Sequence, residues 1–369
     1  MIMASAQFVI SCNKDDDDTN VIPPYTVPET YDFENVDYTE AAQSVSMWAG
    51  FTAYLGKSTS RQLSQDTANY MWNNTNSAFT AEIASNLSFT PDQLNAASTV
   101  KLSSLTAYAA VIKAYVDSMV VISQFYSAVG SDGVPGKIGS RLFNYSGLEF
   151  NQAVAKGMMG AFQMKKIFEH LDKSATADNS TVTPGKGTAM QHEWDLAFGY
   201  VGIPKADYVN RAADTLFAFA SSNPARPLAI GGYFRERGTY IKAGQKVYDA
   251  FIKGRAAIAA KDYVVRDQAI ATIKEFIEKT LAAAAYAYVT APQTQADLAA
   301  KFHGISEGYG FVVALKQRSA SSTLTSANYQ ALENILKTNF YRLAEDANNT
   351  KLKEAQTILT TAYGQLQAN

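Results

Sequence analysis

The 369-residue chain is long enough for two or three domain-sized units and for a core that needs no disulfides. Its 32 basic and 34 acidic side chains leave a formal net charge of -2, without the basic excess that neutralises a phosphate backbone, so nucleic acid is not an expected partner. One cysteine, Cys12, excludes an intrachain disulfide, a thiolate zinc cluster and an iron–sulfur centre, and any imidazole site must draw on His170, His192 and His303.

At the N-terminus, Phe8-Val9-Ile10-Ser11 ahead of Cys12 resembles a bacterial lipobox, in which a peptidase cuts before a cysteine that becomes lipid-modified. Residues 1–11 then read as the remnant of a signal peptide; the apolar stretch is short and has no Lys or Arg ahead of it, which a start upstream of Met1 would explain. Asp15 to Asp18 repel one another and lead into Pro23, Pro24 and Pro28, so 12–38 reads as an acidic tether passing into an extended segment, Tyr25 to Tyr38, laid on the body. An acidic run directly after the modified cysteine also resembles the surface-export signal of Bacteroidota lipoproteins. The expected address is the outer membrane or cell surface of a Gram-negative bacterium, with a lipid on Cys12 as anchor and an outer-membrane or surface protein as the partner expected there. Elsewhere there is no apolar run of about 18 residues that would span a bilayer.

Beyond the tether, Ala, Leu, Gln, Lys and Glu favour helix, and breaker clusters cut the chain into helix-length pieces. The expected helices are Thr39–Gly56, Ser58–Trp72, one opened by Thr90-Pro91-Asp92, Ser98–Val129, Gly147–Lys173 and Met190–Tyr200, with a Gly-rich loop over Gly130–Gly139. Ala206–Ser222 follows, then an irregular stretch, Asn223–Gly238, then Thr239–Ala260, Lys261–Tyr288, Thr294–Lys316, Ser326–Ala347 and Thr350–Gln367. These pieces predict an all-α architecture of two packed helical bundles, 39–204 and 205–369.

Two segments echo each other. His192-Glu193-Trp194-Asp195-Leu196-Ala197-Phe198-Gly199-Tyr200 and His303-Gly304-Ile305-Ser306-Glu307-Gly308-Tyr309-Gly310-Phe311 both carry a histidine, a carboxylate one turn later, and an aromatic-Gly-aromatic run. The same offset lays the helix beginning near Gly147 on the one beginning near Lys261, as an internal duplication would. Residues three or four apart share a helix face, so His192 is expected to meet Asp195, and His303 to meet Glu307, with Glu193, Tyr200 and Tyr309 flanking them. A two-fold relation between the halves would converge four N/O ligands on a divalent metal, iron or a small polar ligand. The sequence equally allows each pair to satisfy itself at a packed helix junction, with the glycines serving only close approach. His170 reads as a dipole partner near a helix C-terminus.

Other motifs fail on spacing. Leu196 stands where a zincin needs its second histidine, Gly185-Lys186-Gly187-Thr188 lacks the upstream glycine of a phosphate loop, and Lys137 is followed by Ile138. Arg235-Glu236-Arg237 beside Gly231, Gly232 and Tyr233 reads as a solvated loop, or as a second site for an anion.

Cys12 with its acids, Lys156-Gly157-Met158-Met159-Gly160-Ala161, His192 to Tyr200 followed by Gly202-Ile203-Pro204, and Ser306 to Phe311 together resemble an uncharacterised family of Bacteroidota lipoproteins. More distantly the chain resembles the imelysin-like group, which includes proposed peptidases and iron-uptake lipoproteins with the pattern Gly-x-His-x-x-Glu. Here Met190 and Asp195 flank the first histidine at those positions, and Lys301 and Ser306 the second, with Glu307 one place later. The resemblance implies a lipoprotein that binds a metal ion or small polar ligand in nutrient or iron acquisition. Its alternatives are a metal-dependent peptidase with Glu193 as base, and a non-catalytic adhesion or scaffold lipoprotein.

Overall fold

The computed structural model describes residues 22–205, 219–220 and 222–368. Cys12, Asp15 to Asp18 and most of the helix expected over Ala206–Ser222 lie outside the described residues. In chain order come α1 (Thr39–Gly56), α2 (Gln65–Asn73), α3 (Pro91–Ala96), α4 (Leu102–Leu105) and α5 (Ala109–Ser123). A hairpin of β1 (Gly136–Ile138) and β2 (Arg141–Phe143) precedes α6 (Phe150–Met158), a π-helical turn (Met159–Met164) and α7 (Lys165–Ser174). A second hairpin, β3 (Val182–Thr183) with β4 (Gly187–Thr188), leads to α8 (Ala189–Val201). The rest is α9 (Ile230–Glu236), α10 (Ala243–Ala259), α11 (Tyr263–Thr290), α12 (Leu298–Ala314), α13 (Ser326–Leu336), α14 (Phe340–Glu345) and α15 (Thr350–Tyr363). The architecture is all-α, and none of the described helices is long and apolar enough to cross a membrane.

Side-chain caps set where the motif-bearing helices begin. Thr188 accepts from the Gln191 amide at 3.2 Å while the Gln191 side chain accepts from the Thr188 amide at 3.0 Å, a reciprocal capping box. Asp297 accepts from the Ala300 amide at 2.7 Å and opens α12 in the same way. His192 thus falls in the first turn of α8, and His303 in the second turn of α12.

Several expected elements are divided differently. Ser98–Val129 breaks into α4 and α5 because Tyr108 adopts a left-handed conformation (φ 38°), freeing the Ala107 amide to donate to the Ala161 carbonyl in the π turn at 2.7 Å. The stretch expected to be irregular, Asn223–Gly238, contains α9, whose first amide, Ile230 N–H, donates to the buried Gln163 side chain at 3.2 Å. Gln163 also donates to the Tyr200 carbonyl at 3.1 Å, so one buried amide joins three helices. Ser326–Ala347 is cut into α13 and α14, the second capped by Asn339. Tyr25 to Tyr38 lies without helix along the body and carries Tyr31 to full burial.

The axis of the fold is the continuous helix from α6 through the π turn to α7. α12 lies on its first half in parallel: His303 meets Glu149 and Glu307 meets Lys156, so both numbers rise together. α8 lies on its second half antiparallel: Tyr200 meets Phe162 and Glu193 meets His170. Gly310 permits the contact of α12 with α6, whereas Gly199 admits the extended segment and α1 against the other side of α8. A Cβ at Gly310 would stand 2.7 Å from Lys156 Cβ, and one at Gly199 would stand 2.7 Å from Tyr38 Cβ, closer than real side chains approach. Buried apolar side chains from Tyr31 to Leu366 form one cluster around this axis. A fully buried Phe or Leu in it contributes about 1.5–3 kcal/mol.

Candidate functional site

On α12, His303 stands one-fifth exposed above two nearly buried carboxylates. Glu149, at the N-cap of α6, brings Oε2 to 2.7 Å from His303 Nδ1, and Arg141 Nη1 lies 2.7 Å from the same nitrogen and 3.6 Å from Glu149 Oε1. A ring nitrogen has one in-plane bonding position, and the acceptor-only carboxylate takes the Nδ1 proton; Arg141 then neutralises the pair through Glu149. Glu307 Oε2 lies 3.8 Å from His303 Nε2, so the expected i, i+4 pair shares a face, but the Glu307 carboxylate is held by Lys156 Nζ at 3.0 Å. Lys156 in turn sits over the Tyr233 ring at 5.3 Å. Ser306 is the nearest hydroxyl along the helix, and its proton goes to the Phe302 carbonyl at 2.7 Å while it accepts from the Glu149 amide at 2.9 Å. Committed to the backbone on both sides, Ser306 is not presented to His303 as a nucleophile.

On α8 the same spacing gives a different result. The expectation that His192 meets Asp195 is corrected: Asp195, fully buried, accepts from Tyr31 Oη at 2.5 Å and from Arg255 Nε at 3.0 Å. Burial pushes the Asp195 carboxyl up to about 6, against the pull of the Arg255 guanidinium and the Tyr31 hydroxyl. Arg255 is itself buried, reaches the Glu34 carbonyl at 3.4 Å, and lies over Phe33 at 5.3 Å. Tyr31 stacks on Phe198 with ring centroids 3.7 Å apart, so the extended segment is riveted to α8 and α10 through one buried ion pair. Asp195 is drawn inward because Arg255 is the buried charge that needs it. His192 remains at the rim, where burial and the Lys186 charge hold it below the ordinary imidazole value, and its Nδ1 has no hydrogen-bond partner among the described residues.

The flanking residues are also occupied elsewhere. Glu193 Oε2 pairs with His170 Nδ1 at 2.7 Å, and the His170 ring stacks on Tyr200 at 5.4 Å. His170, expected as a dipole partner, is thus a buried junction residue between α7 and α8. Tyr309 shares a hydrogen bond of 2.7 Å with Tyr115, and burial raises the phenols of both Tyr200 and Tyr309.

The two histidine motifs are not brought together. Glu149, beside His303, and His170, beside Glu193, mark opposite ends of the α6–α7 helix, about 30 Å apart at about 1.5 Å per residue. Among the described residues no group of three or more His, Cys, Asp or Glu side chains is arranged to hold a metal ion. The sequence reading missed Glu149, Arg141, Lys156, Tyr31 and Arg255. Only Arg255 carried a signal: it stands four residues after Phe251 and eight after Val247, on the apolar stripe of its own helix, where a lone charge calls for a buried partner.

Comparison with curated proteins gives no match, and comparison with solved structures gives none. A family profile described as a domain of unknown function, DUF4856, matches residues 28–364, from the extended segment to the end of α15, and the chain belongs to that family.

Proposed function

We propose that the protein is a lipid-anchored, non-catalytic binding or scaffold protein of the bacterial cell surface, in which the histidine–carboxylate motifs fasten helices together. The observation that carries this reading is that Glu149, Glu193, Asp195 and Glu307 are each bonded to a side chain from another element. Contacts of this kind join one element to another, the use a fold makes of a carboxylate that fastens helices. The anchor rests on Cys12 and the aspartates after it, ahead of a body in which no described helix spans a membrane. We extend the reading to ancestry. The continuous α6–α7 helix with α8, and α11 with α12, are each a long helix followed by an antiparallel helix that carries the motif, and Gly199 and Gly310 both serve close approach. This supports a duplicated unit, and with it the kinship to Bacteroidota surface lipoproteins and, at a distance, to the imelysin-like fold.

One observation favours a second reading, a metal ion or small polar ligand at His303. This imidazole is partly exposed, with Glu149 on one nitrogen and Glu307 Oε2 3.8 Å from the other. Metal analysis of protein purified without chelators separates the two. The fastening role predicts no stoichiometric metal, and His303→Ala lowers the melting temperature with or without added metal. Stoichiometric metal lost in His303→Ala would replace it with the second reading, and metal-dependent peptide cleavage would replace both. Cys12→Ala should release the protein from the detergent phase in its own host; retention there would reject the anchor.

A further inference from the structure

Away from the histidine motifs, three neighbouring clefts share lining residues along α11, the loop after α12 and the end of α15, and so form one groove. The central cleft, about 340 Å³, is lined by Lys274, Glu278, Lys279, Ser322 and Tyr363 among others. It shares Lys279 and Tyr363 with a cleft of about 390 Å³ around Tyr240, Lys242 and Lys246. It shares Ser319 and Ser322 with one of about 370 Å³ around Lys316 and Arg318. Each is the size of a small-ligand site, and their chaining fits a ligand of several units.

The lining has a marked sign. Among the described residues, Lys242, Lys246, Lys274, Lys279, Lys316 and Arg318 line the groove with two carboxylates, Glu275 and Glu278, in a chain whose net charge is -2. Two of the ammonium groups are pre-positioned on one ring: Lys246 Nζ lies 4.0 Å and Lys279 Nζ 5.4 Å from the Phe276 centroid. Some of this charge is already engaged, Lys279 by Glu275 at 2.7 Å, Lys274 by Asp172 at 2.5 Å, and Arg318 by the Leu324 and Leu315 carbonyls and the Ser326 hydroxyl.

Glu278 supplies the second half of the chemistry. It is 3% exposed and accepts from the Ser319 amide at 2.8 Å, from Tyr363 Oη at 2.8 Å and from the Ser322 hydroxyl. A carboxylate has about four acceptor positions, so one remains on Oε2, and Glu278 is among the residues that line the central cleft. Its complement is a hydroxyl donor. The loop Ser319 to Ser326 adds serine and threonine hydroxyls that both donate and accept, and Tyr240, 46% exposed, offers a flat apolar face at the far end. A ligand that is anionic, rich in hydroxyls and several units long meets all these demands. We propose that this groove binds an acidic oligosaccharide, its carboxylate or sulfate groups on the lysines and a ring hydroxyl on Glu278. The site does not depend on how the chain is held at a membrane, so it stands or falls apart from the anchor.

Trigalacturonic acid, titrated calorimetrically into the full chain, is the probe, with maltotriose, hexaglutamate and sodium sulfate as comparisons. Trigalacturonic acid is expected to bind, more weakly at high salt, and ahead of all three comparisons. Lys246→Gln with Lys279→Gln should weaken it at least about five-fold, and Lys242→Gln provides an independent variant should that pair disturb the fold. Lys351→Gln with Lys353→Gln, at the other end of α15, removes the same charge and should leave binding unchanged. No binding, equal binding of maltotriose, or equal loss in the α15 control would overturn the proposal. Tighter binding of hexaglutamate would make the groove a docking site for an acidic peptide instead, and displacement by sulfate alone would reduce it to a simple anion site.

Discussion

The α8 and α12 motifs share a histidine, a carboxylate one turn on and an aromatic-Gly-aromatic run, yet they occupy their charged groups differently. On α12 the histidine is engaged and the carboxylate lies beside it, both facing a partly solvated edge with Arg141 and Lys156. On α8 the carboxylate is pulled into the interior by Arg255 and Tyr31, and the histidine is left at the rim. The glycine performs the same service in both, admitting a neighbouring backbone or Cβ. Spacing on a helix fixes which face a residue occupies; the partner it takes is fixed by the element that packs on that face.

This asymmetry has energetic consequences, beginning with the ion pairs. Asp195→Ala leaves the Arg255 charge buried and unpaired and should cost about 3–5 kcal/mol in urea unfolding. Glu307→Ala should cost less, about 1–2 kcal/mol, because the Lys156 side chain is 14% exposed and can turn toward water. Equal losses would show that the two motifs are energetically alike after all.

The Asp195 carboxyl also sets a pH dependence. Its folded value, about 6, lies above the unfolded value near 3.9, so the folded chain keeps a proton that the unfolded chain has lost across that interval. Its contribution to stability is therefore fullest below pH 4 and declines as the pH rises to 6, by up to about 3 kcal/mol. Carboxylates such as Asp37 and Glu193, held below their ordinary values, act in the opposite sense. The difference between the native chain and Asp195→Asn isolates the one group, and a difference constant from pH 4 to 7 would remove the burial effect from the account. The smallest effect belongs to His192→Ala, which should alter stability by less than about 0.5 kcal/mol; a loss matching that of His303→Ala would mean that His192 has a partner as firm as Glu149.

Much of the scaffold was legible in the sequence. Helix propensity and breaker spacing marked the all-α class and a helix over Met190–Tyr200, and the paired glycines were read as allowing close approach. These are local signals, carried by residues within a turn or two of one another. The breaks within Ser98–Val129 and the helix inside Asn223–Gly238 were not legible, because the groups that impose them, the Ala161 carbonyl and the Gln163 amide, come from a distant helix.

The site followed the same division. From one sequence, His303 with Glu307 could be placed on one helix face, and His192 with Asp195 on another. That Glu149 lies 154 residues from His303, Arg255 60 from Asp195 and Tyr31 164 from Asp195 was decided by packing alone. The long α6–α7 helix then keeps the two motifs at opposite ends. A single sequence specifies the periodicity and caps of each helix through contacts a few residues long, whereas the identity of a buried charge's partner depends on which helices find room against one another, and that is determined only when the whole core closes.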